Sequence, residues 1–423
     1  MPCERLPHPL DCGTAAILLL WTIALVGCAR YSPEPMTSVP FLERAVAQER
    51  DGIRVTVAVP GDEESERLFG VPLASQGIQP VWLRIENSTE RPYWFAPLGL
   101  DPGYFTPLEA ASRARYLFSS RANEEVQEHL LSSAIRSYVS PGQRIAGWVF
   151  TNLDRGVKAV NVDLIGPEGV EEFFFMVRIP GLRADYEEVD RETLQARGEV
   201  RVVDEGALRA ALAGMPCCAT TESGHGTEDP LNFVLIGAPD AVFPAFARTG
   251  WHVAEVLRGR SALKTFWSYF FGSQYRYAPI SAIYLFGRRQ DLSLQKARET
   301  ARERNHLRIW WTPLTFEGQP VWIGQISRDI GLSFDWKNIV SHEVDPDVDE
   351  ARDYLVQDML RSQRLARFGW VKGVGPTPPS APRHMEDGTP FFTDGLRAVM
   401  MFGKEPTSLA HIRLLGWEKP PPR

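Results

Sequence analysis

The chain has 423 residues, 44% of them hydrophobic and 23% charged, a balance ordinary for packed domains and a length that suits two or three of them. Those figures exclude a disordered chain, a collagen-like fibre and a polytopic membrane protein. The formal net charge is −7, from 46 basic and 53 acidic residues. Counterion release on a nucleic acid needs the opposite balance, so no nucleic-acid partner is expected.

Residues 15–27, AAILLLWTIALVG, form an apolar run of 13. A hydrocarbon core takes about 20 helical residues, so this run is too short to span and has the length of a secretory signal core. It ends in Leu25-Val26-Gly27-Cys28, which resembles the bacterial lipobox. The resemblance implies a signal peptide over 1–27, cleavage before Cys28, a diacylglycerol group on its sulfur and an acyl chain such as palmitate on its new amino group. Two or three acyl chains anchor stably where a single one does not. Ala29 stands where an aspartate would retain the protein at the inner membrane, which by analogy favours the outer membrane, facing the periplasm. An uncleaved signal anchor is the alternative.

Residues 28–45 carry three prolines after the cysteine and read as a tether. From 46 to 182 the hydrophobic period is two. Ile53, Val55 and Val57 alternate with polar neighbours, as do Val81, Leu83 and Ile85, then Val160, Val162 and Leu164, then Phe173, Phe175 and Val177. Turn signals at Pro60-Gly61, Asn87-Ser88, Pro141-Gly142 and Gly166-Pro167 punctuate them. This predicts an antiparallel β-sandwich, interrupted by a helix near Asn123–Ile135. It shows no convergent polar cluster and would act as a spacer or adhesion module.

Residues 183–230 read as a connector with a helix near 190–213. Of five cysteines, Cys3 and Cys12 precede the cleavage point and Cys28 takes lipid, leaving the neighbours Cys217 and Cys218. Export makes a strained vicinal disulfide between them possible, and two unpaired thiols are the alternative. The segment 231–403 mixes strands near 232–237, 282–287, 306–313, 320–329 and 396–402 with helices at 239–251, 261–271 and 346–364. A proline-rich tail follows over 404–423. The whole chain is therefore expected to be α+β, a sandwich followed by an α+β domain with antiparallel hairpins.

Six ordered blocks carry a resemblance: Pro230-Leu231-Asn232 into VLIG, Ala278-Pro279-Ile280 ahead of YLFGRRQDLSLQK, RNHLRIWW, PVWIGQISRDIG, HEVDPDVDEARD and FFTDGLRAV. Together they make residues 231–403 resemble the LssY-like C-terminal domain. That resemblance implies a bacterial envelope setting, since relatives occur fused behind membrane-embedded modules, some resembling lipid phosphatases. It implies no activity of the domain itself.

Three patterns bear on chemistry. If the 306–313 and 320–329 strands pair so that residue numbers sum to 633, Leu307, Ile309 and Trp311 build an apolar face with Ile326 and Trp322. The opposite face then gathers His306, Arg308, Gln325, Ser327 and Asp329. That patch would bind an anionic headgroup or polarise a phosphoryl oxygen through His306, Arg308 and Asp329; the default reading is a solvated face with one salt bridge. The run His342-Glu343-Val344-Asp345-Pro346-Asp347 has hard-cation ligand types, with His342, Asp345 and Asp347 as candidates for a divalent metal. It reads more simply as a helix start with Asp345 as N-cap and Pro346 at the first position. Convergence of His306, Asp329, His342 and Asp345 would make a metal site for phosphoester hydrolysis. Finally, Leu263, Phe266, Trp267, Phe270 and Phe271 share a helical face flanked by Arg258, Arg260 and Lys264, as in an interfacial helix or a core-packing one. No phosphate-binding glycine loop or zinc-protease spacing occurs. The expected function is a lipid-anchored envelope protein that binds a lipid or protein partner without catalysis. The alternative is a metal-dependent hydrolase of a phospholipid or similar phosphoester.

Overall fold

A computed structural model describes residues 31–421 except 118, 155, 181–199, 203, 255–279, 281, 298–303 and 334–340. The first half contains β1 (Val46–Arg50), β2 (Ile53–Ala58), helix α1 (Asp62–Phe69), β3 (Ile78–Asn87), β4 (Tyr93–Ala96) and α2 (Pro97–Leu100). It continues with α3 (Pro107–Arg113), α4 (Ser120–Ser133), β5 (Tyr138–Val139), β6 (Arg144–Asn152), β7 (Val157–Gly166) and β8 (Gly169–Arg178). Two antiparallel sheets form, in the orders β1-β2-β3-β6 and β5-β4-β7-β8.

The alternation dictates how they pack. Ile53, Val55 and Val57 of β2 and Val81, Leu83 and Ile85 of β3 meet Val160, Val162, Leu164, Phe173, Phe175 and Val177 of the second sheet in one apolar core. This is the expected sandwich. The first sheet is apolar on its other face too. Ile78, Trp82, Trp148 and Phe150 pack there against Leu68, Phe69, Val126 and Leu130 of α1 and α4. Val39 and Phe41 join that layer, Phe41 lying against Trp148. The expected tether is docked from Tyr31, the first described residue, where Tyr31 and Met36 pack on this layer and Glu34 N donates to Arg67 O at 2.7 Å, because its apolar residues find a ready-made apolar surface.

The second half contains β9 (Val200–Val202), α5 (Glu205–Ala213), β10 (Cys218–Thr220), β11 (Thr227–Pro230), β12 (Phe233–Ile236), α6 (Pro239–Arg248) and β13 (His252–Val253). After these come β14 (Tyr284–Leu285), β15 (Arg288–Arg289), β16 (Leu292–Ala297), β17 (Arg304–Phe316), β18 (Gln319–Ser333), β19 (Ser341–Val344) and α7 (Val348–Arg361). The chain closes with β20 (Leu365–Lys372), β21 (Arg383–His384), β22 (Pro390–Phe391), β23 (Leu396–Phe402) and β24 (Arg413–Leu414). A large sheet runs β13-β16-β17-β18-β12-β23-β20-β24, with β19 added to β18 and β9 to β17. A small one runs β11-β10-β14-β15. Antiparallel hairpins dominate, as α+β predicted, but β12 runs parallel to β23 and β20 to β24.

Helices α6 and α7 cover one face of the large sheet, with Phe246, Leu355 and Met359 against Leu307, Ile309 and Met400. Leu208 and Leu212 of α5 cover part of the other with Val234, Trp310, Val321 and Val399. The presumed connector is therefore folded into this domain from Val200, where β9 pairs with β17, and 200–202 is strand rather than helix. The tail is folded as well, since Leu415 is buried and β24 extends the sheet. The expected helices at 190–199 and 261–271 lie outside the described residues.

The two halves meet along the second sandwich sheet. Phe174 lies beside Phe243 and Met176 packs on the α6–α7 core. Arg248 grips Asp163, Arg364 pairs with Glu172, and His252 contacts Asp154, which also holds Lys158. Burial pushes the Asp154 carboxyl up, but His252 and Lys158 outweigh it and hold the group below its usual range.

Candidate functional site

Strands β17 and β18 pair with Leu307 opposite Ile326, Arg308 opposite Gln325, His306 opposite Ser327 and Arg304 opposite Asp329. Because directly opposed residues share a face, the hydrophobic residues that sit against α6 and α7 force the polar set onto the other side. The register is the one predicted. The solvation is not: Arg308 is 4% exposed, His306 8% and Gln325 0%. The default reading of a solvated face is thereby corrected. Two distant pieces of chain account for it, since β16 contributes Gln295 to the same face and β11 brings Asp229 across it.

The charged groups are held in a network. Arg304 donates from Nε to Asp329 Oδ2 at 2.9 Å and from Nη1 to Gln295 Oε1 at 2.7 Å. His306 Nε2 lies 3.1 Å from Asp329 Oδ1. Asp229 accepts from Ser327 Oγ at 2.6 Å and, at the long distance of 3.4 Å, from Arg308 Nη1. Burial pulls the Arg308 guanidinium below its usual basicity, and Arg304 adds to this while Asp229 opposes it. Beside them, burial and the neighbouring Asp229 and Asp387 carboxylates push Glu228 up to about 7.

Among the described residues, four buried polar atoms on the neighbours of Arg308 make no hydrogen bond. They are both amide atoms of Gln325, Nδ1 of His306 and Nε1 of Trp310. Gln325 is directly opposite Arg308, while His306 and Trp310 flank it two residues away on β17. A buried polar group without a partner costs about 1–3 kcal/mol. Such groups in a folded protein call for an explanation, and a ligand is one. The same face carries Asp229, Arg304 and Ser327, so it offers donors on Gln325, Trp310 and Arg308 and an imidazole whose Nε2 is held by Asp329.

A metal cluster is the alternative reading of these residues. Among the described residues no three His, Cys, Asp or Glu side chains gather to hold an ion. His306 and Asp329 do meet, but Asp345 Oδ1 instead accepts from its neighbour Asp347 N at 3.0 Å. Asp347, not Asp345, is the N-cap of α7, accepting from Asp349 N at 3.2 Å. The helix starts two residues later than expected because Asp345 and Pro346 close a turn against Arg328 and Phe392 backbone. His342 lies on β19 at the position opposite Leu332. Cys28 and the aromatic segment 258–277 lie outside the described residues.

Cys217 and Cys218 form a vicinal disulfide, and Arg383 Nη2 lies 3.5 and 3.4 Å from the two sulfurs. Arg304 could have been read from the sequence, two residues before His306 on the same strand. Trp310 continues that alternation. Asp229 carried no such signal, being separated from Arg308 by 79 residues.

No curated protein matches the chain. Residues 211–396 match the family described as LssY C-terminus. The match spans α5 to the start of β23 and includes every residue of the polar face, so the carboxy-terminal domain is LssY-like.

Proposed function

We propose that this protein is a lipid-anchored cell-envelope binding module, held to the membrane through acylated Cys28, whose LssY-like domain takes up a small anionic group such as the phosphate of a lipid headgroup. The single observation that carries the reading is the set of unpartnered buried atoms of Gln325, Trp310 and His306 around Arg308. A phosphoryl oxygen would be attracted to the buried Arg308 guanidinium, alongside the Asp229, Asp329 and Glu228 charges that act on it, and Gln325 and Trp310 N–H groups would complete its shell. Among the described residues no helix is long and apolar enough to cross a membrane.

The test is calorimetric titration of the full chain with inorganic phosphate and phosphoethanolamine. Gln325→Leu has nearly the same volume and no polar atoms. It should abolish binding while raising stability by about 1–3 kcal/mol, because the unmade hydrogen bonds vanish with the amide. No binding by the wild-type chain would end the proposal. The anchor is tested separately: Cys28→Ser should be neither cleaved nor labelled by palmitate.

A second reading, phosphoester hydrolysis, rests on one observation. His306 is oriented by Asp329 through Nε2 while Nδ1 is unpartnered, the arrangement of a general base. Turnover of a phospholipid by the wild-type chain, lost in His306→Ala, would favour it, and native mass spectrometry would report any stoichiometric divalent ion.

A further inference from the structure

The described structure begins at a fixed point of the fold. The Tyr31 ring stands against the Gly70 backbone, where a Cβ would lie 2.9 Å from a ring carbon, and its hydroxyl meets His129 Nδ1 on α4. Burial pushes the Tyr31 hydroxyl up and the His129 imidazole down, so at neutral pH the two meet uncharged. Three residues on, Arg67 donates to the Glu34 carboxylate from Nε at 3.0 Å and from Nη2 at 2.7 Å. Tyr31 and Met36 pack on the layer that α1, α3 and α4 lay over the outer face of the first sheet.

Three peptide units separate Tyr31 from Cys28. Each spans about 3.8 Å between Cα atoms, so the Cys28 Cα lies within about 11 Å of that of Tyr31. A link of that reach is short beside the protein, and an anchor on Cys28 keeps the side of the molecule that holds Tyr31 at the bilayer. That side presents leucines to solvent. Leu117, between α3 and α4, is 83% exposed, and Leu131 on α4 is 56% exposed. Leu117 is held in place through its neighbour: the Tyr116 hydroxyl donates to Gly70 O at 2.8 Å, Tyr116 N donates to Asn123 Oδ1 at 2.7 Å, and Asn123 Nδ2 donates to Tyr116 O at 2.9 Å. Val126 and Leu130 turn the other side of α4 to the sheet, so Leu131 faces outward. Arg115, Arg121, Glu124 and Glu128 are exposed around them. The surface thus carries both signs of charge and needs no anionic lipid.

The rest of the molecule is stacked behind this layer. The two sandwich sheets come first, packed on each other. Helix α6 follows, with Phe243 beside Phe174 of the second sheet and Met176 on the α6–α7 core. The large sheet comes last. Leu307 and Ile309 face α6 and α7, so Arg308 between them faces the far side. With neighbouring layers about 10 Å apart, the Arg308 face stands roughly 30–40 Å beyond the helical layer.

We infer, on the reading that Cys28 is acylated, that the α1–α3–α4 layer is the membrane-facing surface of the anchored protein, with Leu117 and Leu131 resting on the bilayer and the Arg308 face pointing away from it. Headgroups of the anchoring leaflet then lie out of reach of Arg308, and the anion comes to that face from the aqueous side.

The experiment uses the acylated full chain in phosphatidylcholine vesicles containing a lipid with a nitroxide on its headgroup. Cys217 and Cys218 are joined in their disulfide and Cys28 carries lipid, so Leu117→Cys, Leu131→Cys or Asp387→Cys each supplies a single free thiol for a bimane label. All three positions are exposed, and Asp387 lies close enough to Glu228, the neighbour of Asp229, to raise its pKa. The nitroxide should quench the labels at positions 117 and 131 at least twofold and leave the label at 387 unchanged. A flexible Gly/Ser insert ahead of Tyr31 should at least halve that quenching. Quenching at 387 without quenching at 117 and 131 would overturn the inference, as would no quenching at any position in a chain whose mass includes the acyl groups. A mature chain of unacylated mass would remove the anchor reading itself, and the membrane-facing surface with it.

Discussion

The seam between the two halves makes the sharpest energetic prediction. Arg248, at the end of α6, donates to Asp163 on β7 through Nη2 at 2.7 Å and Nε at 3.1 Å. Both side chains are nearly buried, at 12% and 11% exposure. Replacing Arg248 by Met keeps the aliphatic stem and removes the fork. Asp163 then keeps the Asn161 amide at 2.9 Å, and Glu172 keeps Arg364. Breaking a buried pair costs about 3–5 kcal/mol, and the surviving partners place Arg248→Met at the lower end, about 3 kcal/mol. For domains of this size each kcal/mol moves Tm by roughly 2–4 °C, so a fall of roughly 6–12 °C is expected by scanning calorimetry. Asp163→Leu alone should cost a similar amount. The pair of substitutions together should cost much less than their sum, since no unpaired charge remains buried. A loss below about 1 kcal/mol for Arg248→Met, the value of an exposed pair, would refute the reasoning. So would strict additivity of the double variant.

Gly324 sits opposite Ile309, and a Cβ there would lie 2.6 Å from the Arg308 carbonyl oxygen and press on the Phe233 ring; Gly324→Ala should cost about 1–3 kcal/mol in urea unfolding. Asp347→Ala removes the acceptor for the Asp349 amide and should cost about 1 kcal/mol, whereas Asp345→Ala should not unfold the first turn of α7, as helix-specific exchange will report. Glu228 titrates near 7 in the fold against an ordinary value of 4.5. Its contribution is therefore full below about pH 4.5 and lost as pH rises through 7, so Glu228→Gln should flatten the fall in stability over that window; an unchanged slope would discard the role of burial and Asp229.

How far the sequence spoke depended on the range of the interactions concerned. The sandwich was legible because Val55, Leu83, Val162 and Phe175 alternate with polar residues within single strands. The β17–β18 register was legible because a one-residue slip would have set Leu307 against Ser327. Burial of the same hairpin was not, since it depends on Asp229, which lies 79 residues from Arg308 in the chain. Phe41 gave no periodic signal, and its burial follows from the apolar outer face of β3 and β6. Leu208 and Leu212 looked like part of a connector because their partners, Trp310 and Val399, come from two other strands. The start of α7 was misplaced by two residues because both Asp345 and Asp347 make caps of good chemistry, and only the turn against Arg328 decides between them.

The composition of the polar face bears on why it exists. Across β17 and β18, packing alone would favour another apolar residue at 325, as Ile323 and Ile326 show that branched aliphatic side chains fit the same strand. Glutamine there leaves two buried atoms unpaired, and each such group costs about 1–3 kcal/mol against a domain's whole stability of about 5–15. Trp310 is placed likewise, with its ring in the core and its N–H without a partner. Phe at 310 would lose the orphan donor together with part of the buried ring's contacts. Two neighbouring residues that each give up stability on one face, beside a buried arginine, are accounted for together by an anionic ligand that pairs with them. Under that reading Trp310→Phe should weaken phosphate binding while costing the free protein less than an ordinary large-to-small core change, since removal of the orphan donor offsets the cavity; a full cavity cost with binding intact would return Trp310 to packing alone.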